Sequence, residues 1–431
     1  MLTKKTIKDI DVKDKTVIVR CDFNVGLTKN GEIDDDYRIR QALPTIEHLR
    51  SLGAKIVIIS HMGRPEGVKD MALSLMPIAT HLSKLLHLPV QFVPEAIGES
   101  AKKIVGKMKP KNIVMLENLR FDPREEANDE SFAKELAEMG DLFVQDGFGV
   151  VYRKHVSTDA ITRFLPSVTG LLLEREVNVI NKATDDPYRP LTVIIGGQNT
   201  ETKFKLLEQM VEKADFIAVV GAVANTFLIA EGLEVGKSCY EHSFIDWAKH
   251  IMHIASERSK KEQFTLYIPR DVVVATSKDT VVPTRIVDID VHTWSDIVSY
   301  PKKPAEKLFK LNKDEMILDI GPMTAMAIAG ALKLSKTAIW SGTAGVTEIK
   351  GLSGAAKPYA HGSKIIADAL LGEKSGYKNR PFAIVGGTDA VKFVENDPLS
   401  RELIGHISTG GGASLELMVG NSLPGIDALN D

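Results

Sequence analysis

Short runs of apolar, mostly β-branched residues recur along the whole chain, and longer helix-compatible segments separate them. The first half carries TVIVRCDF (16–23), KIVIIS (55–60), VQFV (90–93), NIVML (112–116) and DLFVQ (141–145). The second carries LTVII (191–195), DFIAVV (215–220), FTLYI (264–268), MILDI (316–320), TAIW (337–340) and FAIV (382–385), with a last short strand at 406–408. A strand that is apolar at nearly every position is buried on both faces, which is the mark of a parallel sheet. Residues 38–53 read as a helix ending at Gly53 and 129–140 as one ending at Gly140, with glycine as the natural stop. Alternation of this kind predicts an α/β fold with parallel β-sheets and helices on both faces.

The chain is 431 residues long, more than one core usually serves. The break is placed at 171–189, where a helical stripe ends at Asp185-Asp186-Pro187 and a new strand series follows. A stiff connector there suits a hinge; one continuous sheet would need more strands than open sheets usually hold. A hydrophobic fraction of 44% and a net charge of −3 describe a soluble chain and argue against broad nucleic-acid or anionic-membrane binding. The longest apolar stretch, 216–230, holds Asn225 and is too short to span a bilayer. With two cysteines far apart and no secretion signal, the expected location is the cytoplasm.

Ligands of open α/β sheets bind beyond the carboxyl ends of the strands. In the first half those positions hold Asp22-Phe23-Asn24, His61-Met62-Gly63-Arg64, Arg120, and Arg153 with His155, while Arg38 opens the helix after the first loop. Guanidinium forks match phosphate and carboxylate oxygens, so this set reads as a cradle for a small anion. Any one of these arginines could equally be a rim residue paired with an acid; the grouping is what points to a ligand. In the second half the strand ends hold Gly196-Gly197-Gln198-Asn199 leading to Lys203, then Gly221, Ser341-Gly342 followed by Glu348, Gly386-Gly387-Thr388-Asp389, and Gly410-Gly411-Gly412. Glycine lets backbone N–H groups approach phosphate closely, and nearby Lys, Asp and Glu suit phosphate, Mg2+ and ribose. Gly232 to Ser238 falls one residue short of the phosphate-loop pattern and reads as a turn. Trp340 reads as core.

Several long motifs, in order along nearly the whole chain, resemble the phosphoglycerate kinase family. They are Val19-Arg20-Cys21-Asp22-Phe23-Asn24-Val25, Ser60-His61-Met62-Gly63-Arg64-Pro65, Leu116-Glu117-Asn118-Leu119-Arg120-Phe121, Leu318-Asp319-Ile320-Gly321-Pro322, Ser408 to Glu416, and Leu423-Pro424-Gly425. The resemblance implies two Rossmann-like lobes joined by a helical hinge. These would be a phosphoglycerate-binding lobe at 1–170, to which the tail 408–431 returns, a hinge helix at 171–189, and a nucleotide-binding lobe at 190–407. It implies reversible phosphoryl transfer between Mg-ATP and 3-phosphoglycerate, giving 1,3-bisphosphoglycerate and ADP, in a monomer. By motif match, Asp22, Phe23, Asn24, Arg38, His61, Met62, Gly63, Arg64, Arg120 and Arg153 would hold the phosphoglycerate. Arg38, Lys203, Gly410, Gly411 and Gly412 would serve the moving phosphoryl group. Gly197, Gln198, Lys203, Gly221, Ser341, Gly342, Glu348, Gly386, Gly387, Thr388 and Asp389 would bind the nucleotide, with Asp389 on the Mg2+.

Departures from the family pattern gather in the second half. A family lysine is Asn199 here, with Glu201 adding a negative charge nearby; Val220-Gly221-Ala222 stands for a triple glycine; Ser341, Thr343, Thr388 and Ala390 also differ. Gln145, Gly147 and Tyr152 are milder changes in the first half. Loss of one charged stabiliser of a transition state costs roughly 3–4 kcal/mol, so the activity level and the phosphoryl donor stay open at this point. Lys205 is a candidate to compensate. The alternative is a phosphoglycerate kinase-like protein that binds a phospho-acid but has lost or altered nucleotide-dependent catalysis.

Overall fold

The computed structural model describes residues 2–28, 30–278, 282–289, 311–349, 357–372, 379–395 and 397–431. The chain packs as two compact units, one of residues 1–181 with 412–431 and one of residues 182–411.

The first unit is built on a six-stranded sheet. Its strands are β1 (Thr16–Arg20), β2 (Lys55–Ile59), β3 (Val90–Val93), β4 (Ile113–Leu116), β5 (Leu142–Gln145) and β6 (Ser167–Thr169), in the order β3-β4-β2-β1-β5-β6. All five pairings are parallel. Parallel neighbours need crossover connections, and the segments between strands supply them as helices. β1 is buried at every residue, its apolar centre Val17–Val19 and its closing Arg20 alike. The helix Tyr37–Ser51 lays Ile39, Ala42, Ile46 and Leu49 into the core beside Val17, Val19, Ile56 and Ile58. It ends as the sequence predicts: Gly53 has φ +88° and its N–H returns to the carbonyl of Arg50 at 3.0 Å.

The second predicted helix shows a different use of glycine. It spans Glu130–Ala137 and is capped by Asp129, whose carboxylate accepts from the N–H groups of Ser131 at 2.8 Å and Phe132 at 3.1 Å. Gly140 is not a left-handed stop. A Cβ there would lie 2.7 Å from Cγ1 of Ile18, so the residue is small because β1 passes against it. The end of the chain is tied to this unit by backbone pairing. The Gly425 N–H meets the Val151 carbonyl at 2.8 Å and the Asn430 N–H meets the Ser167 carbonyl at 2.9 Å.

The second unit has a six-stranded parallel sheet, with β7 (Leu191–Ile195), β8 (Phe216–Val219), β9 (Thr265–Tyr267), β13 (Thr337–Ser341), β14 (Phe382–Gly386) and β15 (His406–Ile407) in the order β15-β14-β13-β7-β8-β9. Three further strands, β10 (Asp271–Ala275), β11 (Arg285–Asp288) and β12 (Met316–Ile320), form a separate sheet in the order β11-β10-β12. This corrects the reading of MILDI as one more parallel strand: both pairings of β10 are antiparallel. Only the last three residues of β12 are buried, and a short apolar run does not reveal which sheet it joins. Trp340 is wholly buried, as expected of a core residue. The segment Gly232–Ser238 is a turn: Gly236 has φ +57° and the Lys237 N–H donates to the carbonyl of Glu315 at 2.7 Å.

Candidate functional site

In the first unit the loops after β1, β2, β4 and β5 carry the predicted anion cradle. These four strands are neighbours in the sheet, and β1 lies where the connections reverse direction, the usual place for a ligand. Asp22 is buried and its Oδ2 accepts from Arg38 at 2.8 Å. Asn24 Oδ1 accepts from the Gly63 N–H at 2.9 Å, and the Gly63 carbonyl accepts from Arg120 at 2.8 Å. Arg120 also pairs with Glu126 at 3.1 Å. Arg153 lies over the ring of Tyr152, 5.0 Å from its centroid, which gives the Tyr152 change a supporting role. Arg64 is exposed beside Gly63. Phe23 and Met62 have core side chains, so only their backbone can meet a ligand. Gly147 is compact for a reason, because a Cβ there would lie 3.2 Å from the backbone nitrogen of Asp22.

Sequence reasoning missed the support beneath this cradle. Arg20 is 1% exposed. It donates to Ser157 Oγ at 2.8 Å, to the Cys21 carbonyl, and to His61 Nδ1 at 3.1 Å. Glu125, also buried, accepts from Ser157 Oγ at 2.5 Å. The available signal was a charge closing an otherwise apolar strand. Arginine only donates, so His61 Nδ1 must accept, and the imidazole is neutral with its proton on Nε2. Burial first, and then Arg20, Arg120, Arg153 and Arg38, hold the His61 pKa well below the usual histidine range. Burial and then Arg120, Arg153 and Arg20 bring His155 down to about 4. Four guanidinium groups with two neutral histidines make a locus that favours a multiply charged anion.

In the second unit, the loops after β7, β8 and β13 interlock through backbone. The Gly196 N–H donates to the Ser341 carbonyl at 2.7 Å and the Gly197 N–H to the Thr343 carbonyl at 2.8 Å. Gly221 (φ +60°) approaches so closely that a Cβ would stand 2.6 Å from the Gly197 nitrogen. Lys203 is 7% exposed, and its Nζ donates to the carbonyls of Gly196 at 2.7 Å and Gln198 at 2.9 Å. Burial lowers its pKa to about 8, against the pull of Asp389. A Cβ on Gly197 would sit 3.2 Å from Lys203 Nζ and 3.4 Å from Asp389 Oδ2. The lysine, the aspartate and the glycine loop are therefore brought together as predicted.

A cavity of about 460 Å³ opens beside them, with Gly197, Gln198, Gly221, Glu348 and Asp389 in its lining. The exposed lysines Lys237, Lys278, Lys357 and Lys392 also line it. Lys237 belongs to the Gly232–Ser238 segment read only as a turn, and the other three are surface lysines that carry no local signature. Gly386 ends β14, Gly387 (φ +77°) turns the chain, and Thr388 and Asp389 open the helix Thr388–Glu395. Ser341 is fully buried at the end of β13. Its Oγ has no hydrogen-bond partner among the described residues. Gly410 donates its N–H to Ser408 Oγ at 3.1 Å, Gly411 has φ +53°, and Gly412 begins the helix Gly412–Met418 of the first unit.

The altered positions have structural uses. Asn199 donates to the Ala222 carbonyl at 3.1 Å and accepts from Thr226 Oγ1 at 3.1 Å, fastening the β7 loop to the helix Gly221–Ala230. Lys205 does not take over from the missing lysine: it pairs with Glu201 at 2.7 Å on the outer face of its helix, two positions from buried Lys203.

Asp319, within the Leu318-Asp319-Ile320-Gly321-Pro322 motif, lies in the cavity wall and is buried. It accepts from the N–H groups of Ile320 at 2.9 Å and Gly362 at 3.0 Å, yet burial raises its pKa to about 7. In the first unit burial likewise raises Asp146 to about 6. Between the ordinary carboxylate range and these values the folded chain holds protons that the unfolded chain has released. Stability from these groups therefore falls as pH rises from about 5 to 7. Buried, neutral His61 and His155 act in the opposite sense over the same interval in both proteins, so the readout is the difference: the urea midpoint of the wild type is expected to fall with pH relative to that of Asp319→Asn, and equal slopes would show that Asp319 does not titrate there.

Residues 7–421 match the profile of the family described as phosphoglycerate kinase. The chain is 40% identical over 433 residues to the phosphoglycerate kinase of Dictyoglomus turgidum, covering 100% of both chains. It is 38% identical over 432 residues to that of Moorella thermoacetica, again with 100% of both covered. Among solved structures, phosphoglycerate kinase from Coxiella burnetii aligns with a TM-score of 0.78 at 31% identity, over 99% of this chain and 98% of that one. The enzyme from Pyrococcus horikoshii gives 0.76 at 27% identity, over 100% and 98%. With its motifs in order, its two parallel sheets and matches over the full length, the chain belongs to the phosphoglycerate kinase family.

Proposed function

We propose that the phosphoryl transfer of this family is divided here between an acid site on the first unit and a nucleotide site on the second. In the forward step a carboxylate oxygen of 3-phosphoglycerate attacks the γ-phosphorus of ATP. The new O–P bond forms as the bond to the β-phosphate oxygen breaks, releasing ADP and 1,3-bisphosphoglycerate. Arg20, Arg120 and Arg153 supply the positive field for the acid, Asp22 and Asn24 orient its polar groups, and neutral His61 offers its Nε2–H. Arg38, fixed by Asp22, meets the charge that builds on the moving phosphoryl group. Lys203 and the Gly197 and Gly221 turns take the nucleotide phosphates, and Glu348 takes the ribose.

A magnesium ion that travels with ATP neutralises phosphate charge and usually takes one or two protein carboxylates. Asp389, exposed at the start of its helix, fits that demand, and no group of three His, Cys, Asp or Glu side chains among the described residues offers a self-sufficient metal cage. No helix among the described residues is long and apolar enough to cross a membrane. We further propose a cytoplasmic monomer, which cell fractionation and sedimentation test.

The observation that carries this reading is the convergence of Lys203, Asp389 and the interlocked glycine turns despite the altered sequence around them. A coupled assay with ATP, GTP and pyrophosphate tests it: turnover with ATP is expected. Retained 3-phosphoglycerate binding with no turnover from any donor would leave only the binding-protein alternative. Asn199→Lys adds a cation to the β7 loop and removes two hydrogen bonds. Its expected result is a higher kcat, little change in 3-phosphoglycerate affinity, and a stability loss of about 1–3 kcal/mol. An unchanged kcat in the same assay would show that the lysine position does not limit the rate.

A further inference from the structure

Apolar residues form much of the wall of the nucleotide cavity, among them Ala222, Ala224, Leu228, Pro269 and Val272. Asn225 is set in the same lining, on the helix Gly221–Ala230, and is only 3% exposed. Its Nδ2 donates to the Cys239 carbonyl at 2.8 Å. A carbonyl can only accept, so this bond fixes the amide orientation: nitrogen toward Cys239, oxygen away from it. That oxygen, Oδ1, is buried and has no hydrogen-bond partner among the described residues. The next residue is satisfied, because Thr226 Oγ1 bonds to Asn199. A buried acceptor left without a donor costs about 1–3 kcal/mol, which a bound ligand can recover if it brings an N–H to that point.

We propose that Asn225 reads the base of the nucleotide, its Oδ1 accepting a hydrogen bond from the exocyclic amino group of a 6-aminopurine. This rests on the assignment of the cavity to the nucleotide. An apolar wall suits a flat ring, and an unsatisfied acceptor on a residue of that wall selects for a donor on the ring edge. A 6-oxopurine places an oxygen at the same position, acceptor against acceptor. A purine without a substituent there leaves Oδ1 unpaired. Sites that hydrogen-bond a substrate group discriminate strongly against analogues lacking it. Because Oδ1 is shielded in the ligand-free chain, ring entry requires a side-chain adjustment of the kind common on binding.

Calorimetry on the full-length protein with Mg2+ tests this, using ADP, inosine diphosphate and purine riboside diphosphate. The wild type is expected to bind ADP at least about tenfold more tightly than either analogue. In Asn225→Leu, ADP is expected to fall to the level of purine riboside diphosphate, whose own affinity stays unchanged. The wild-type comparison decides even if the variant does not fold. Equal binding of ADP and purine riboside diphosphate by the wild type would overturn the role of Asn225 and leave the nucleotide site standing. So would an undiminished preference for ADP in Asn225→Leu. If none of the three diphosphates bound, the nucleotide assignment would fall, and this inference with it.

Discussion

Arg38→Ala is expected to lower kcat by about a hundred-fold or more, the usual consequence of losing one charged stabiliser of a developing transition-state charge. The KM for ATP should hardly move. The geometry explains why the loss concentrates on turnover. Arg38 is held by a 2.8 Å ion pair to a buried Asp22 carboxylate, so its guanidinium is positioned before substrate arrives. Three other guanidinium groups, those of Arg20, Arg120 and Arg153, remain to attract the acid. Arg38→Lys keeps the charge but not the planar fork, and an intermediate rate is expected. Steady-state kinetics beside a thermal melt separates this from instability, since the alanine variant strands Asp22. A kcat within threefold of the wild type would remove Arg38 from the transition state.

The second large effect is structural and belongs to the nucleotide loops. Gly342 has φ +84°, and a Cβ there would lie 2.1 Å from the Gly196 carbonyl oxygen and 2.4 Å from its carbon. Both are backbone atoms, so the β7 and β13 loops would have to separate. Gly342→Ala is expected to destabilise the second unit by about 3 kcal/mol or more and to abolish nucleotide binding, while 3-phosphoglycerate binding by the first unit survives. Gly232→Ala is the control. Its φ is +88°, but nothing lies within 4 Å of the added carbon, so the cost should be near 1 kcal/mol. Urea unfolding of both variants checks the pair, and equal destabilisation would mean that the close approach of the loops is not what requires glycine at 342.

Much of this architecture could be read from the chain. Apolar runs such as 16–19 and 191–195 became parallel strands, as burial on both faces favours. Loop positions beyond those strands could be named because sheet ends are where side chains are free to converge. What stayed hidden depends on partners remote in sequence. The assignment of Met316–Ile320 to a separate sheet follows from pairing with β10, not from its own pattern. Gly140 is explained by Ile18, which lies over a hundred positions earlier. Arg20 looked like the end of a strand until Ser157 and His61 closed around its guanidinium. Asn199 looked like a defect, and the structure gives it two hydrogen bonds. Lys392 and Lys357 were invisible because only the folded chain makes them part of one cavity.

Hydrogen–deuterium exchange of the full chain, with one ligand at a time, bears most directly on the division of labour between the units. With 3-phosphoglycerate alone, protection should rise in the segments 20–24, 60–64, 118–124 and 147–157. With Mg-ADP alone, it should rise in 196–203, 221–226, 342–348 and 387–392. Protection of the second set by 3-phosphoglycerate, or of the first by Mg-ADP, would contradict the assignment of acid and nucleotide to separate halves of the protein.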